Sequence, residues 1–123
     1  MSNKVYVSWE MVEIFVNKLY EKYEDKCFSG VYGLPRGGLI PAIMISHKFK
    51  IPLLMAPTNN CLIVDDIADS GKSLSHFTEN DTNFCKYTIA TMYHHKRSEV
   101  TPNFYIWDKQ DNWIVFPWEM EKC

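Results

Sequence analysis

The sequence predicts an α/β domain with a mostly parallel central sheet flanked by helices, and two observations carry that expectation. Short β-rich apolar runs alternate along the chain with stretches of helical periodicity, the pattern that strands joined by crossover helices produce. Two of those runs, "GVYGL" and "CLIVDD", lead directly into the turn sequences "PRGG" and "IADSGKS". In open parallel sheets ligands bind beyond the carboxyl ends of the strands, so two such loops point to one shared site.

In chain order, a short strand is expected around residues 5–7, followed by Ser8 as an N-cap. The next stretch, "WEMVEIFVNKLYEKY", places Met11, Phe15 and Leu19 at helical spacing and reads as one amphipathic helix. "GVYGL", residues 30–34, reads as a buried strand. After the glycine turn, "LIPAIMISHKF" reads as a helix that tolerates Pro41 in its first turn. "IPLLM" is a third apolar run and "CLIVDD" a fourth, ending in acids; "SLSHFTEN" is a short helix candidate. "KYTIATMY" and "NFYIW" supply two further β-rich runs.

The 123 residues suit one domain with a real apolar core. Hydrophobic residues make up 46% and charged residues 23%, with no repeat or low-complexity tract. A formal net charge of −2 lacks the basic excess that a nucleic-acid backbone demands. No apolar run approaches the roughly 20 residues needed to span a bilayer, and no signal-peptide order is present, so a cytoplasmic protein is expected. Cys27, Cys61, Cys85 and Cys123 lack CxxC spacing and read as reduced structural thiols.

The stretch "CLIVDDIADSGKS", residues 61–73, ends in the Gly-Lys-Ser that closes a triphosphate P-loop. The position that such a loop requires as glycine is Asp66, however, and Asp65, Asp66 and Asp69 would set carboxylates against polyphosphate oxygens. Adjacent carboxylates at a strand end can instead accept hydrogen bonds from vicinal sugar hydroxyls and help hold Mg²⁺. Ser70, Gly71, Lys72 and Ser73 then offer amides and hydroxyls to a single phosphate. Acids for a diol and amides for a phosphate describe a phosphorylated ribose.

This stretch resembles the phosphoribosyl pyrophosphate (PRPP) signature of the type I phosphoribosyltransferases, with Asp65, Asp66, Asp69, Ser70, Gly71 and Ser73 at its defining positions. "GLPRGGLIPA", residues 33–42, is similar to the pyrophosphate loop of the xanthine-guanine branch, with Pro35 where that branch has serine. Arg36 would hold the diphosphate by its guanidinium fork while Gly37 and Gly38 let backbone amides approach. The resemblance also implies a cis Pro35–Arg36 peptide bond. "DNWIVFPWE" is similar to the purine-binding end of the 6-oxopurine enzymes: Trp113 matches the stacking aromatic, and the Ile114 carbonyl would meet a base N–H. Phe116 and Trp118 read as core.

Lys96, within "YHHKRS", stands where the family's lysine donates to the purine's 6-oxo group. The usual lysine–proline pair is here Lys96–Arg97, which leaves His94 and His95 open as sharers of the role. As a zinc site the two histidines lack a third ligand nearby.

The implied whole is a type I phosphoribosyltransferase fold over residues 1–123, with a pyrophosphate loop at 33–42, a PRPP motif at 61–73, a purine-binding region at 94–119 and a small C-terminal hood over the base. The implied activity is Mg²⁺-dependent transfer of phosphoribose from PRPP to N9 of guanine, hypoxanthine or xanthine, releasing pyrophosphate. Asp65 and Asp66 would hold the ribose and the metal, Asp69 would be the general base, and Arg36 would stabilise the leaving group. Family members commonly form homodimers or homotetramers. One family part is missing: only residues 56–60 separate "IPLLM" from "CLIVDD", where a long flexible loop usually closes over PRPP. The alternative reading is a PRPP- or nucleotide-binding regulatory module with little turnover.

Overall fold

The computed structural model describes residues 3–78 and 86–119. Strand β1 (Lys4–Tyr6) leads into helix α1 (Trp9–Tyr23), β2 (Val31–Gly33), α2 (Leu39–Phe49), β3 (Cys61–Ala68), a 3₁₀ turn (Leu74–Phe77), β4 (Tyr87–His95), β5 (Trp107–Lys109) and β6 (Trp113–Val115). The main sheet has the order β2-β3-β4-β5, and β1 and β6 form a separate two-stranded sheet. Every pairing is parallel. The α/β fold with a parallel sheet is therefore as expected.

The pattern of β3 explains its central place. Leu62 and Val64 join the cluster formed with Val12, Phe15, Val16 and Leu19 of α1 and Ala42 and Ile45 of α2. Cys61 and Ile63, pointing to the opposite face, pack with Leu34, Leu74, Ile89 and Val100. A strand covered on both faces has no reason to alternate polar and apolar residues. Helix α1 begins at Ser8, whose hydroxyl accepts the Met11 N–H at 3.2 Å. Its inward stripe is Val12, Phe15, Val16 and Leu19, one position wider than the sequence spacing suggested.

Some elements differ from expectation. "IPLLM" forms only one bridge, Leu53 to Val31, with Pro52 accepting the Val31 N–H and having none of its own to donate. Along "NFYIW", the side chain of Asn103 accepts the Ile89 N–H and Phe104 makes a lone bridge to Ala90, so continuous pairing begins only at Trp107. The stretch from Trp113 to Val115, read from sequence as base-binding, is also a strand: it pairs with β1, closing the chain's two ends on each other. The helix candidate after the acids is a 3₁₀ turn over Leu74–Phe77, and its residues 79 and 80 lie outside the described residues, as do Cys85 and Cys123. Cys61 is buried and Cys27 exposed, and neither forms a disulfide among the described residues. Among the described residues no helix is long and apolar enough to cross a membrane.

Replacing Ser8 with Ala removes one cap and should cost about 1 kcal/mol, whereas Phe15→Ala, at a site without exposed surface, should cost about 3–5 kcal/mol. Urea denaturation reads both. Equal losses would contradict the packing of α1 against the sheet.

Candidate functional site

The parallel pairing of β2 with β3 sets Gly33 beside Val64 and delivers both strands' following loops to the same edge. The Leu34 N–H continues the ladder to the Val64 carbonyl at 2.9 Å, and the Gly38 N–H closes a turn onto the Leu34 carbonyl at 2.8 Å. Gly38 lies against the Val64 carbonyl, and Gly37 lies so close to the Asp66 carboxylate that a Cβ there would overlap it. These two positions need glycine for approach. The Pro35–Arg36 peptide bond between them and β2 is cis, as the resemblance implied.

Beyond Asp66 the chain turns through Asp69, Ser70 and Gly71. Gly71 has φ +82°, and a Cβ on it would meet Ser98 Oγ at 2.6 Å and the Glu99 N at 2.8 Å. The Glu99 N–H in turn donates to the Ser70 carbonyl at 2.9 Å, so the turn after β4 buttresses the serine–glycine loop. Among the described residues the loop is followed by a 3₁₀ turn over Leu74–Phe77.

Three cavities meet along this edge. One of about 100 Å³ is bordered by Asp65, Asp69, Ser70, Gly71, Lys72 and Ser73. A second of about 190 Å³ has Asp66, Asp69, Ile67, Lys109, Trp113 and Ile114 on its walls. A third, about 350 Å³, is lined by Arg36, Gly37, Asp66, Trp118 and Glu119. Asp69 is shared by the first two and Asp66 by the last two, so the carboxylates stand at the junctions. Trp113, 64% exposed, presents an open ring to the middle cavity. Trp118 is half-buried and stacks on buried Phe116 at 5.1 Å and 6° between planes, while the two also line the third and middle cavities respectively.

Burial raises the pKa of both members of the acid pair. Asp65 is pushed up to about 8, first by burial and then by the charge of Asp66 and a proton shared with it. Burial also raises Asp66, with Glu119 adding repulsion, while hydrogen bonds from Asp65 and the Ile67 N–H act in the opposite direction. Two adjacent carboxylates whose burial resists full ionisation suit a divalent cation, which would offset the charge of both. Among the described residues no group of three or more His, Cys, Asp or Glu is arranged to hold a metal. The two carboxylates could supply part of the oxygen shell of a hard divalent cation, the rest coming from other oxygens.

Lys96, expected beside the base, is exposed and borders a cavity of about 490 Å³ with His94, His95, Asp108, Lys109 and Asp111, and Lys109 lines the neighbouring middle cavity as well. Strand β4 ends at His95, and the chain turns away at Lys96. His95 is engaged at both ring nitrogens, accepting the Arg97 N–H on Nδ1 at 3.1 Å and meeting Asp111 through Nε2 at 3.4 Å. Three residues that the sequence reading passed over come to the site. Arg97 donates through Nε and Nη2 to Asp69 Oδ1 at 3.2 and 2.9 Å. Lys109, beside His95 in register, reaches the middle cavity, and Glu119 accepts the Phe116 N–H at 2.7 Å while lining two cavities. The available signal for Lys109 was its position directly before "QDNWI".

No family model matches the chain. It is 27% identical over 147 residues to the xanthine-guanine phosphoribosyltransferase of Cereibacter sphaeroides, across 94% of this chain and 86% of that protein. That span exceeds this chain's 123 residues, so the relative carries residues with no counterpart here. The crystal structure of a purine phosphoribosyltransferase from Pyrococcus horikoshii superimposes with a TM-score of 0.84 at 30% identity, covering 98% of this chain and 97% of that one. The Helicobacter pylori xanthine-guanine-hypoxanthine phosphoribosyltransferase superimposes with a TM-score of 0.80 at 20% identity, over 95% and 94%. The chain belongs to the type I phosphoribosyltransferase family. Within that family it is a purine phosphoribosyltransferase, an enzyme of purine salvage.

Because the folded protein holds the Asp65 proton more tightly than the unfolded chain does, the pair's contribution to stability is complete below about 3.8 and is lost as pH rises toward about 8. Melting temperature should therefore fall between about pH 4 and about pH 8, and Asp65→Asn should flatten that fall. Parallel curves for wild type and variant would clear the pair of this effect.

Proposed function

We propose that the protein transfers the phosphoribosyl group from PRPP to N9 of a 6-oxopurine (guanine, hypoxanthine or xanthine), yielding the nucleoside 5'-monophosphate and pyrophosphate. The observation that carries this reading is the meeting of three cavities joined by Asp66 and Asp69, matching a ligand with a phosphate, a base and a diphosphate around one ribose.

The smallest cavity would take the 5'-phosphate on the amides and hydroxyls of Ser70, Gly71, Lys72 and Ser73. Asp65 and Asp66 would accept the ribose hydroxyls, and they are the residues to share in Mg²⁺ binding. Mg²⁺, when bound, would neutralise charge on the diphosphate. Arg36 with the Gly37 and Gly38 amides would hold that group as the bond from C1' to its oxygen breaks and negative charge collects there. As the ribose ring gains oxocarbenium character, the N9 lone pair forms the new bond to C1', and the proton on N7 passes to Asp69. Trp113 stacks on the base and the Ile114 carbonyl accepts one of its N–H groups.

Incubation with PRPP, Mg²⁺ and each purine tests this: product is expected from at least one 6-oxopurine. Asp69→Asn should lower kcat about 100-fold or more while leaving nucleotide monophosphate affinity within about threefold. Ligand-induced thermal stabilisation without any product would favour the alternative, a nucleotide-binding module. Self-association as a homodimer or homotetramer belongs to the same reading, with the exposed apolar side chains of Leu39, Ile43 and Met55 as surface to bury. Light scattering should give at least twice the chain mass; a monomer at micromolar concentration would remove that part.

A further inference from the structure

Asp69 stands at the junction of two cavities, the one bordered by Ser70 to Ser73 and the one that holds Trp113. Strand β3 ends one residue earlier, at Ala68, so Asp69 sits on the turn and not in the ladder. A carboxylate there passes among its staggered rotamers unless a partner fixes one of them.

Arg97 is that partner. Its Nε and Nη2 both donate to Oδ1, at 3.2 and 2.9 Å, and the Lys109 Nζ approaches the same oxygen at 3.9 Å. Among the described residues no hydrogen bond reaches Oδ2. A guanidinium that met the carboxylate fork to fork would occupy both oxygens. Approaching from one side, it secures the group and leaves the second oxygen its full accepting capacity.

The arginine is itself held from behind. Its backbone N–H donates to Nδ1 of His95 at 3.1 Å, and His95 is buried, with its other ring nitrogen at Asp111. The Ser98 N–H donates to the His95 carbonyl at 2.9 Å, and the Glu99 N–H to the Ser70 carbonyl at 2.9 Å. The turn that carries Arg97 is therefore bonded at one end to β4 and at the other to the residue next to Asp69. Such anchoring lowers the entropic cost of holding the side-chain pair in one geometry.

Two effects of the guanidinium oppose each other. A cation beside a general base resists proton uptake, whereas hydrogen bonds to one oxygen aim the other. The Arg97 and Asp69 side chains are 62% and 39% exposed, so water and salt screen the charge. Aim is not screened, and a displacement of about 1 Å can cost on the order of 100-fold in rate. Orientation outweighs the field.

We propose that Arg97 is a positioning residue for phosphoribosyl transfer, fixing Asp69 through Oδ1 so that Oδ2 is the oxygen that takes the proton from N7 of the purine. The proposal rests on the reading of Asp69 as the general base.

The test uses the full chain with PRPP, Mg²⁺ and the 6-oxopurine that the wild type converts fastest. Wild type is compared with Arg97→Met, Arg97→Lys, Asp69→Asn and the double variant Arg97→Met/Asp69→Asn. The readouts are the single-turnover rate of product formation, KM for PRPP and for the purine, and Kd for the product nucleotide. Arg97→Met should slow single turnover at least about tenfold, with both KM values and Kd held within about threefold. Arg97→Lys, whose ammonium extends past the position of Nε and can donate to Oδ1, should recover at least about threefold of that loss. With Asp69→Asn already in place, Arg97→Met should change the rate less than about twofold, because the group it aims is gone. A smaller loss in Arg97→Met, no recovery in Arg97→Lys, or an equal loss in both backgrounds overturns the proposal. So does a loss confined to KM for PRPP, which would make Arg97 a phosphate contact, or a parallel weakening of rate and nucleotide affinity, which would mark a disturbed fold. In each of these cases a slow Asp69→Asn leaves the general-base reading standing. Asp69→Asn at the wild-type rate, or a wild type that forms no product, overturns that reading and this proposal with it.

Discussion

Gly37 packs directly onto the carboxylate of Asp66, with no space for a side chain between them, and the rest of the site depends on that approach. It joins the loop after β2 to the acids of β3, which makes one site of two stretches nearly thirty positions apart in the chain. The parallel pairing of Gly33 with Val64 aims the loop, and the closeness of Gly38 to the Val64 carbonyl seats it. A side chain at Gly37 would overlap the Asp66 carboxylate, and one at Gly38 would overlap the Val64 carbonyl.

Rigidity behind that contact comes from β3. Cys61, Leu62, Ile63 and Val64 are fully withdrawn from solvent, split between two apolar clusters on opposite faces of the sheet. A strand so enclosed cannot slip register without moving apolar side chains to the wrong face. Its half-buried end then carries carboxylates whose protonated forms are favoured by burial. The cost of ionising both is what makes the pair receptive to a cation and to hydroxyl donors.

Charge around the site is arranged in opposed pairs. Arg36 lies across a cavity from Asp66 and Glu119, while Arg97 and Lys109 converge on Asp69. Of the acids that exclude a triphosphate loop, Asp69 thereby finds compensation, while Asp65 and Asp66 are left with raised pKa values. With the connection before β3 reduced to a few residues, the middle cavity is walled by β6 and the segment after it, Trp113 to Glu119, which the pairing of β1 with β6 ties back to the chain's start.

Local pattern made much of this legible. Ser8 before a helical apolar stripe, Pro41 tolerated in the first turn of α2, and an apolar strand running into Asp65 and Asp66 are effects of near neighbours, readable at short range. Less legible was "IPLLM", where β propensity met a proline and left one bridge, and β6, whose strand character is supplied by β1 from the far end of the chain. Least legible of all was the setting of Lys96. Nothing within a few residues of it reveals that β4 ends at His95, or that β5 then sets Lys109 beside that histidine.

The sequence by itself determined the α/β class, the two glycine-bearing loops and the identity of the acids, because each is written in contiguous residues whose chemistry and spacing act locally. Only the tertiary structure decided which cations serve those acids. Arg97, Lys109 and Glu119 reach the site because strands β4, β5 and β6 end where they do, and the position of a strand's end is set by long-range pairing and burial that no short stretch encodes.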